Sequence, residues 1–306
     1  MNNQSYITYN RAETAKLLNF SALVDAIAQA AEEYAHNGIL SPERLVVPME
    51  NNAVMLSMPA IGSDIAIHKL VNVVPDNGNL QLPTIHGLVT VFNAQTGVPL
   101  FVLDGPEVTG RRTAAVSMLG IRTFLPRQPQ AILLIGTGTQ SAYHLQAIAE
   151  LYPASKVWVR GSRPGRAEAF CEKFAALHPA LSPCPSDGMP HEIDVVITLT
   201  TSKVAIYNDA ARPNLLVIGV GAFKPDMAEI GAATLAGSDI YVDDPDGARQ
   251  EAGDLIQAGV DWSITRPLIS ALKSQPEFAR PVVFKTVGTG AWDLAAGRVA
   301  RAALAM

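Results

Sequence analysis

The chain has 306 residues, of which 48% are hydrophobic and 17% charged, and its net charge is −5. This balance is typical of a globular protein long enough for two domains, and it excludes the basic surface of a nucleic-acid-binding protein. No apolar run approaches the ~18 residues of a membrane span, and the initial MNNQS lacks the regions of a signal peptide. Two cysteines and six histidines show no disulfide or metal spacing, so we expect a cytoplasmic, metal-free protein.

The first third of the chain predicts a helix followed by an antiparallel sheet. Residues 21–36 place apolar side chains on one helical face, with Ser21 as the N-cap and Asn37-Gly38 as the stop. Short apolar runs separated by turns then predict successive strands at 44–49, 53–58, 65–74, 88–94 and 98–103. Sequential strands with short connections indicate antiparallel pairing.

The second half of the chain has a different, alternating pattern. A helix rich in small residues, predicted at 108–124, leads into it. Short apolar strands separated by helices or loops predict a parallel sheet covered on both faces, with strands at 131–135, 156–159, 194–199, 215–220 and 239–243. A helical piece at 268–272, a last strand at 282–286 and a helix at 290–306 follow. A domain boundary must fall between the two patterns.

The best-defined motif is the glycine-rich turn GTGTQS at 136–141, between a buried strand and a helix. Such a turn lets backbone N–H groups approach a pyrophosphate, and the helix N-terminus adds its positive end. Gly136 makes the tight turn, and Gly138 allows the close approach. Ser141 stands where the fingerprint usually has Gly or Ala. A second strand and helix complete the βαβ unit of a nucleotide-binding fold.

The end of the second strand of this unit indicates which nucleotide it binds. An NAD site has an acidic residue there for the ribose hydroxyls, whereas this chain has Arg160, Gly161, Ser162 and Arg163. Two cations and a hydroxyl suit a 2′-phosphate, which favours NADPH, with NADH as the weaker ligand. The alternative is that both arginines are merely solvated residues at a strand end.

Three cations stand out among apolar neighbours in the antiparallel half. Arg44 opens a strand, Lys69 lies inside another, and Arg112 lies in the first turns of the connecting helix. A lysine so placed either reaches solvent on the polar face of its strand or points into a site with an anionic partner. Three cations in one domain beside a nucleotide-binding fold are consistent with a carboxylate or phosphate site.

The chain resembles the ornithine cyclodeaminase/mu-crystallin family nearly from end to end. The most specific matches are TGRRTAA at 109–115 and FKTVG at 284–288, and further matches lie at 42–44, 56–60, 69–77, 136–138, 194–200, 242–244 and 251–254. The resemblance implies an α/β protein with a doubly wound (Rossmann) NAD(P)-binding domain over 126–279. It also implies an α+β domain with an antiparallel sheet, which binds substrate and forms a homodimer, over 1–125 and 280–306.

The family resemblance also implies the site residues. Arg44, Lys69 and Arg112 match the positions that grip the α-carboxylate of the substrate. Phe223 stands where cyclodeaminases have the aspartate that handles the amino groups of ornithine, and a phenyl ring packs instead against an apolar ring. Thr84 borders the same pocket, whereas His86 beside it is expected to be structural. The expected nucleotide contacts are Thr113, Gly136, Thr137, Gly138, Thr139, Gln140, Arg160, Ser162, Arg163, Thr200, Val220 and Gly288.

These implications favour a ketimine reductase. Δ1-Pyrroline-2-carboxylate would be reduced to L-proline, and Δ1-piperideine-2-carboxylate to L-pipecolate, by hydride transfer from NADPH to C2. Lys69 either only binds the substrate or also keeps the imine protonated. The alternatives are an ornithine cyclodeaminase, a dehydrogenase of alanine or N-substituted amino acids, and an NADPH-dependent binding protein without turnover.

Overall fold

The computed structural model describes residues 6–185, 188–274 and 280–306, so the initial MNNQS segment lies outside the described residues. The chain divides into two compact units, the first ending at Ala115 and resuming at Thr289, and the second running from Val116 to Gly288. Among the described residues, no helix has the length and apolarity needed to cross a membrane. Each unit is built around a sheet of its own.

Strands dominate the first half of the described residues, and helices alternate with strands in the second. In chain order, the strands are β1 (Ile7–Thr8), β2 (Leu45–Pro48), β3 (Val54–Ile61), β4 (Ile65–Val73), β5 (Ile85–Asn93), β6 (Pro99–Asp104), β7 (Ala131–Ile135), β8 (Lys156–Arg160), β9 (Leu181–Pro183), β10 (Ile193–Thr198), β11 (Leu216–Gly219), β12 (Asp239–Val242), β13 (Arg266–Pro267) and β14 (Val282–Lys285). The helices are α1 (Arg11–Leu17), α2 (Phe20–Ala35), α3 (Gly105–Phe124), α4 (Thr139–Leu151), α5 (Arg166–Phe174), α6 (Ala232–Ala236), α7 (Pro245–Glu251), α8 (Gly253–Gln257), α9 (Leu268–Lys273) and α10 (Gly290–Ala303).

The first unit contains a sheet in the order β1-β6-β5-β4-β3-β2. Neighbours from β2 to β6 pair antiparallel, as the turn pattern predicts, and the short β1 adds a parallel edge. The expected N-cap of α2 is wrong. Helix α2 begins at Phe20, and the Asn19 side chain accepts the Ala22 N–H at 2.8 Å, because an Asn at this position caps the first turn before Ser21 is reached.

One face of this sheet is covered by α10, which also packs against α2. Alternate residues of β4 are buried, as expected for a strand with one covered face. Gly297 of α10 lies so close to the sheet that a Cβ there would come within 3.2 Å of the Ile65 and Ile67 side chains. The small residues predicted for this helix therefore let it approach the sheet closely.

The second unit is a parallel sheet in the order β13-β12-β14-β11-β10-β7-β8-β9. The chain runs outward from β7 through β8 to β9 and then returns to β10 on the other side of β7, which is the strand-order reversal of a doubly wound fold. The predicted fold class is confirmed. The buried strands β7, β10, β11 and β14 lie at the centre of the parallel sheet.

The structure divides the chain at different residues from those expected. The expected division places the predicted strand at 282–286 in the antiparallel domain, but β14 pairs between β11 and β12, with Val283 opposite both Val217 and Ile240. Its apolar side chains are buried, which suits the centre of a parallel sheet. The division therefore falls after Gly288 instead of before residue 280, and within α3 instead of at residue 125.

Candidate active site

Lys69 lies at the centre of β4, paired with Met58 on β3 and Val89 on β5. Its side chain is only 2% exposed, and its Nζ lies 2.6 Å from Oδ2 of Asp293, which is completely buried. A lysine on the covered face of a sheet cannot reach solvent past its neighbours, so it needs an anion beside it. The structure thus decides between the two alternatives for Lys69, because its ammonium points into a site with an anionic partner.

Asp293 lies in the first turn of α10, where the positive end of the helix favours a carboxylate. Its second oxygen, Oδ1, is 3.3 Å from Nε of Arg112, which is 8% exposed. Asp293 therefore bridges two of the three cations singled out in the sequence. We call Arg44, Lys69, Arg112 and Asp293 the Lys69 cluster.

Arg44 belongs to the Lys69 cluster because its charge acts on Lys69. Burial lowers the pKa of Lys69 to about 8, the negative charge of Asp293 opposes that shift, and the positive charges of Arg112 and Arg44 add to it. Arg44 is half-buried just before β2. Lys69 and Arg112 share the carboxylate of Asp293, so these two cations carry more positive charge than that aspartate neutralises. Such a surplus in a buried setting can hold an anionic ligand.

Asp293 was not predicted from the sequence. It stands among Gly, Ala, Trp and Leu in a helix whose only visible feature is small residues. A single carboxylate on such an apolar helix was the available signal. This carboxylate cannot be linked to Lys69 from the sequence, because only the fold shows that α10 covers the strand that carries Lys69.

Thr84 and His86 are not brought to Lys69 by the sheet. Both are exposed, with Thr84 directly before β5 and His86 as its second residue. Val89 is the residue of β5 opposite Lys69, so Thr84 lies five residues, or about 16 Å of strand, away along the sheet. A contact of Thr84 with substrate stays a prediction. Thr113 follows Arg112 in α3 and is half-buried.

The glycine-rich turn of the second unit has the geometry that a pyrophosphate needs. Gly136 has φ +131°, and a Cβ there would lie 2.7 Å from the Leu199 carbonyl oxygen, so only glycine fits. Gly138 is the N-cap of α4, and a Cβ there would meet nothing within 4 Å, so its backbone is open to a ligand. The buried Ser141 keeps the small volume that close helix packing requires. Thr137, Thr139 and Gln140 lie on the same turn and on the first turn of α4.

The residues proposed for the 2′-phosphate lie at the end of β8, the strand next to β7, and in the turn after it. Arg160 ends β8, and its guanidinium Nη2 lies 3.6 Å from Sγ of Cys184. Ser162 and Arg163 are exposed in the following turn. The residues that directly follow β8, Gly161, Ser162 and Arg163, include no acidic side chain.

The other expected nucleotide contacts follow neighbouring strands. Thr200 comes after β10 and Val220 after β11, and the half-buried Phe223 lies three residues further along. Gly288 follows β14 with φ +78°, and its N–H donates to Oδ2 of Asp243 at 3.0 Å. These residues occupy the carboxyl ends of parallel strands, the edge at which doubly wound folds bind their ligands.

The fold and these residues define a class of protein, namely a nucleotide-binding enzyme with a separate domain that contains a buried cluster of cations around one carboxylate. In the described ranges, no group of three or more His, Cys, Asp or Glu side chains is placed to hold a metal ion. The chain belongs to the ornithine cyclodeaminase/mu-crystallin family, whose model matches residues 6–302. The family resemblance seen in the sequence is therefore confirmed.

Two relatives match almost the whole chain. The Δ1-pyrroline-2-carboxylate reductase 2 of Burkholderia ambifaria is 53% identical over 296 residues, which cover 97% of this chain and 95% of the relative. The Δ1-pyrroline-2-carboxylate/Δ1-piperideine-2-carboxylate reductase of Azospirillum brasilense is 52% identical over 297 residues, with 97% and 96% coverage. The expected enzyme class, an oxidoreductase, is confirmed by these relatives.

The fold also matches a solved structure. Thermococcus litoralis Δ1-pyrroline-2-carboxylate reductase, in complex with NADH and L-proline, superimposes with a TM-score of 0.87. The identity is 21%, and the match covers 98% of this chain and 97% of that one. At this identity the match supports the fold alone.

Proposed function

We propose that the protein reduces Δ1-pyrroline-2-carboxylate to L-proline, and Δ1-piperideine-2-carboxylate to L-pipecolate, with NADPH. The observation that carries this proposal is the Lys69 cluster, which offers cations to a substrate carboxylate. Within it, Lys69 and Arg112 are both paired with the single carboxylate of Asp293. The names of the two relatives support a cyclic imine as the substrate. The proline in the Thermococcus litoralis complex is the product of the same proposed reaction.

Lys69 and the two arginines would bind the 2-carboxylate of the imine. Arg112 presents a planar fork that suits a carboxylate, while Lys69 acts as a compact point charge. Holding the carboxylate fixes the adjacent C2 carbon, which lowers the entropic cost of reaching the transition state. The protein's part in the reaction is therefore alignment, and the bound nicotinamide supplies the hydride.

Lys69 is also the proposed proton donor. With a pKa of about 8, its ammonium is about 90% protonated at pH 7, yet it is a better acid than a solvent-exposed lysine. Its proton would pass to the imine nitrogen, and C2 of the resulting iminium then accepts the hydride. Asp293 holds the ammonium in place between turnovers, because the two groups form an ion pair.

The glycine-rich turn and the residues after β8 would hold the nucleotide. Gly136 and Gly138 with the N-terminus of α4 suit the pyrophosphate, and Arg160 with Arg163 suit the 2′-phosphate. The missing acid after β8 is the observation that favours NADPH over NADH. We propose the remaining contacts, from Thr113 to Gly288, on the basis of the family resemblance.

We also propose a cytoplasmic homodimer that forms through the second face of the antiparallel sheet. Leu45, Leu70 and Leu88 lie on this face, since Leu70 pairs with Leu88 and both align with Leu45 through Ser57. They are 61%, 37% and 51% exposed. An apolar face of this kind is typical of an association surface, and Leu88→Glu should therefore yield monomers in light scattering. Unchanged dimers would place the interface elsewhere.

The test of the reaction is NADPH oxidation by the purified protein with each cyclic imine, beside an NADH control. Fast loss of NADPH with an imine and formation of the L-amino acid would establish the proposal. Ammonia release from ornithine without net NADPH use would overturn it in favour of a cyclodeaminase. That outcome would contradict the argument from Phe223, which offers no acid for an amino group. NADPH binding without turnover would indicate a binding protein.

A further inference from the structure

A buried carboxylate in the second unit joins two loops that carry proposed cofactor and substrate contacts. Glu229 is completely buried. Its Oε1 accepts the backbone N–H of Thr200 at 2.5 Å and the Thr200 hydroxyl at 2.9 Å. Its Oε2 accepts the N–H groups of Gly221 at 2.6 Å and Ala222 at 3.2 Å. The loop after β10 and the loop after β11 therefore meet on one side chain.

The two loops touch each other as well as Glu229. A Cβ on Gly221 would overlap the backbone of Thr200 and lie 2.7 Å from Oε1 of Glu229. The Thr198 hydroxyl at the end of β10 adds a fifth donor, 2.9 Å from Oε2. All the hydrogen-bonding capacity of the carboxylate is thus directed at the ends of these strands. A shift of Glu229 would move both loops together.

A buried ion pair fixes the backbone of Glu229. The backbone N–H groups of Glu229 and Ile230 both donate to Oδ1 of Asp254, the second at 2.8 Å. Oδ2 of Asp254 lies 2.8 Å from Nζ of Lys285, and both side chains are completely buried. Lys285 ends β14, the neighbour of β11. The chain of contacts from Lys285 to Glu229 therefore anchors the loops to the centre of the parallel sheet.

We infer that Glu229 is a positioning residue that sets the loops after β10 and β11 for the nicotinamide half of the cofactor. This inference rests on the proposed function. In a doubly wound fold the first βαβ unit binds the adenosine half, and the strands on the other side of the strand-order reversal serve the second half. Here β7 and β8 belong to the first group, and β10 and β11 to the second. Glu229 acts through the loops, because its side chain is completely buried and both of its oxygens accept hydrogen bonds from them.

Glu229→Gln tests the inference while keeping the shape of the side chain. A glutamine places an NH₂ group against backbone N–H donors, so at least one loop must move away. We expect kcat to fall by roughly 10- to 100-fold, because small displacements of a bound reactant are costly. The Kd of NADPH should rise by about tenfold. The Kd of 2′,5′-ADP, which lacks the nicotinamide half, should stay within about twofold, because its binding uses neither loop.

Asp194→Asn is the matched control. Asp194 is the second residue of β10, at the end of the strand opposite to Thr198. It is 7% exposed and accepts the N–H of Gln130 and a guanidinium N–H of Arg127. Its loss should lower the melting temperature, as the loss of Glu229 does, without changing kcat or either Kd. Effects on kcat and NADPH that appear equally in both variants would show general destabilisation and overturn the inference.

Thr198→Val keeps the test decisive if Glu229→Gln does not fold. Valine has the shape of threonine and removes only one donor to Glu229. We expect a smaller change in the same direction, about threefold in kcat and in the Kd of NADPH. A folded Thr198→Val protein with wild-type values would overturn the inference. If the wild-type protein itself neither binds NADPH nor reduces an imine, the proposed function fails first.

Discussion

Replacing Asp293 by Asn should shift the pH dependence of catalysis, because Asp293 is the anionic partner of Lys69. The ammonium and the carboxylate are 2.6 Å apart and buried. Burial already lowers the pKa of Lys69 to about 8, and Asp293 opposes that shift. Removing its charge should lower the pKa of Lys69 by at least ~1 unit further, while Arg112 and Arg44 continue to repel the ammonium.

The size of the effect follows from that shift. In the wild type, Lys69 is about 90% protonated at pH 7, and after a fall of one unit it would be about 50% protonated. Deprotonation removes both the charge that binds the carboxylate and the proposed acid. The value of kcat/KM should therefore fall as pH rises through about 8 in the wild type, and at a lower pH in Asp293→Asn.

The assay is kcat/KM for the cyclic imine at saturating NADPH across this pH range. Asp64→Asn is the control, because Asp64 makes its ion pairs with Arg298 and Arg301 of α10 in the same unit instead of with Lys69. Its profile should match that of the wild type even if its stability falls. If the profile of Asp293→Asn keeps the wild-type midpoint, Lys69 is not the group that titrates, and the proposed acid role is refuted.

Three further predictions test separate parts of the proposal. Lys69→Ala or Arg112→Ala should reduce imine turnover by at least ~100-fold and leave the Kd of NADPH nearly unchanged, since both belong to the first unit; normal kinetics in both would remove the carboxylate site. Arg160→Ala combined with Arg163→Ala should raise the KM of NADPH about tenfold or more and that of NADH little, and equal changes would refute the 2′-phosphate assignment. Gly136→Ala should weaken the binding of NADPH and of NADH by more than about tenfold, because the φ of +131° and the nearby Leu199 carbonyl exclude a side chain at this position. Unchanged affinity would contradict the proposed pyrophosphate site.

Local pattern was enough for most of the elements. The period of two in 44–103 and the buried runs after residue 130 depend on neighbours within a few residues, so both sheets could be predicted from them. The turn at Gly136 is equally local, since strand, glycines and helix are contiguous. The helix cap at Asn19 was missed although it is local, because Ser21 is an equally good capping residue.

Contacts between distant segments could not be predicted in the same way. The apolar residues of the strand at 282–285 would suit the buried part of either sheet. Only its pairing with β11 and β12 places it in the parallel sheet. Asp293 and Lys69 are separated by more than two hundred residues and meet because α10 covers β4. The role of Glu229 cannot be predicted from the sequence for the same reason, since its partners lie on two loops that the sheet brings together.

The sequence by itself determined the fold class, the glycine-rich turn and the three cations, because periodicity and short motifs encode these directly. The tertiary structure alone decided that Lys69 is buried beside a carboxylate, that the second domain ends after Gly288, and that Glu229 joins two loops. The physical reason is that a buried charge requires a partner, and which partner is within reach is settled by strand order and helix packing.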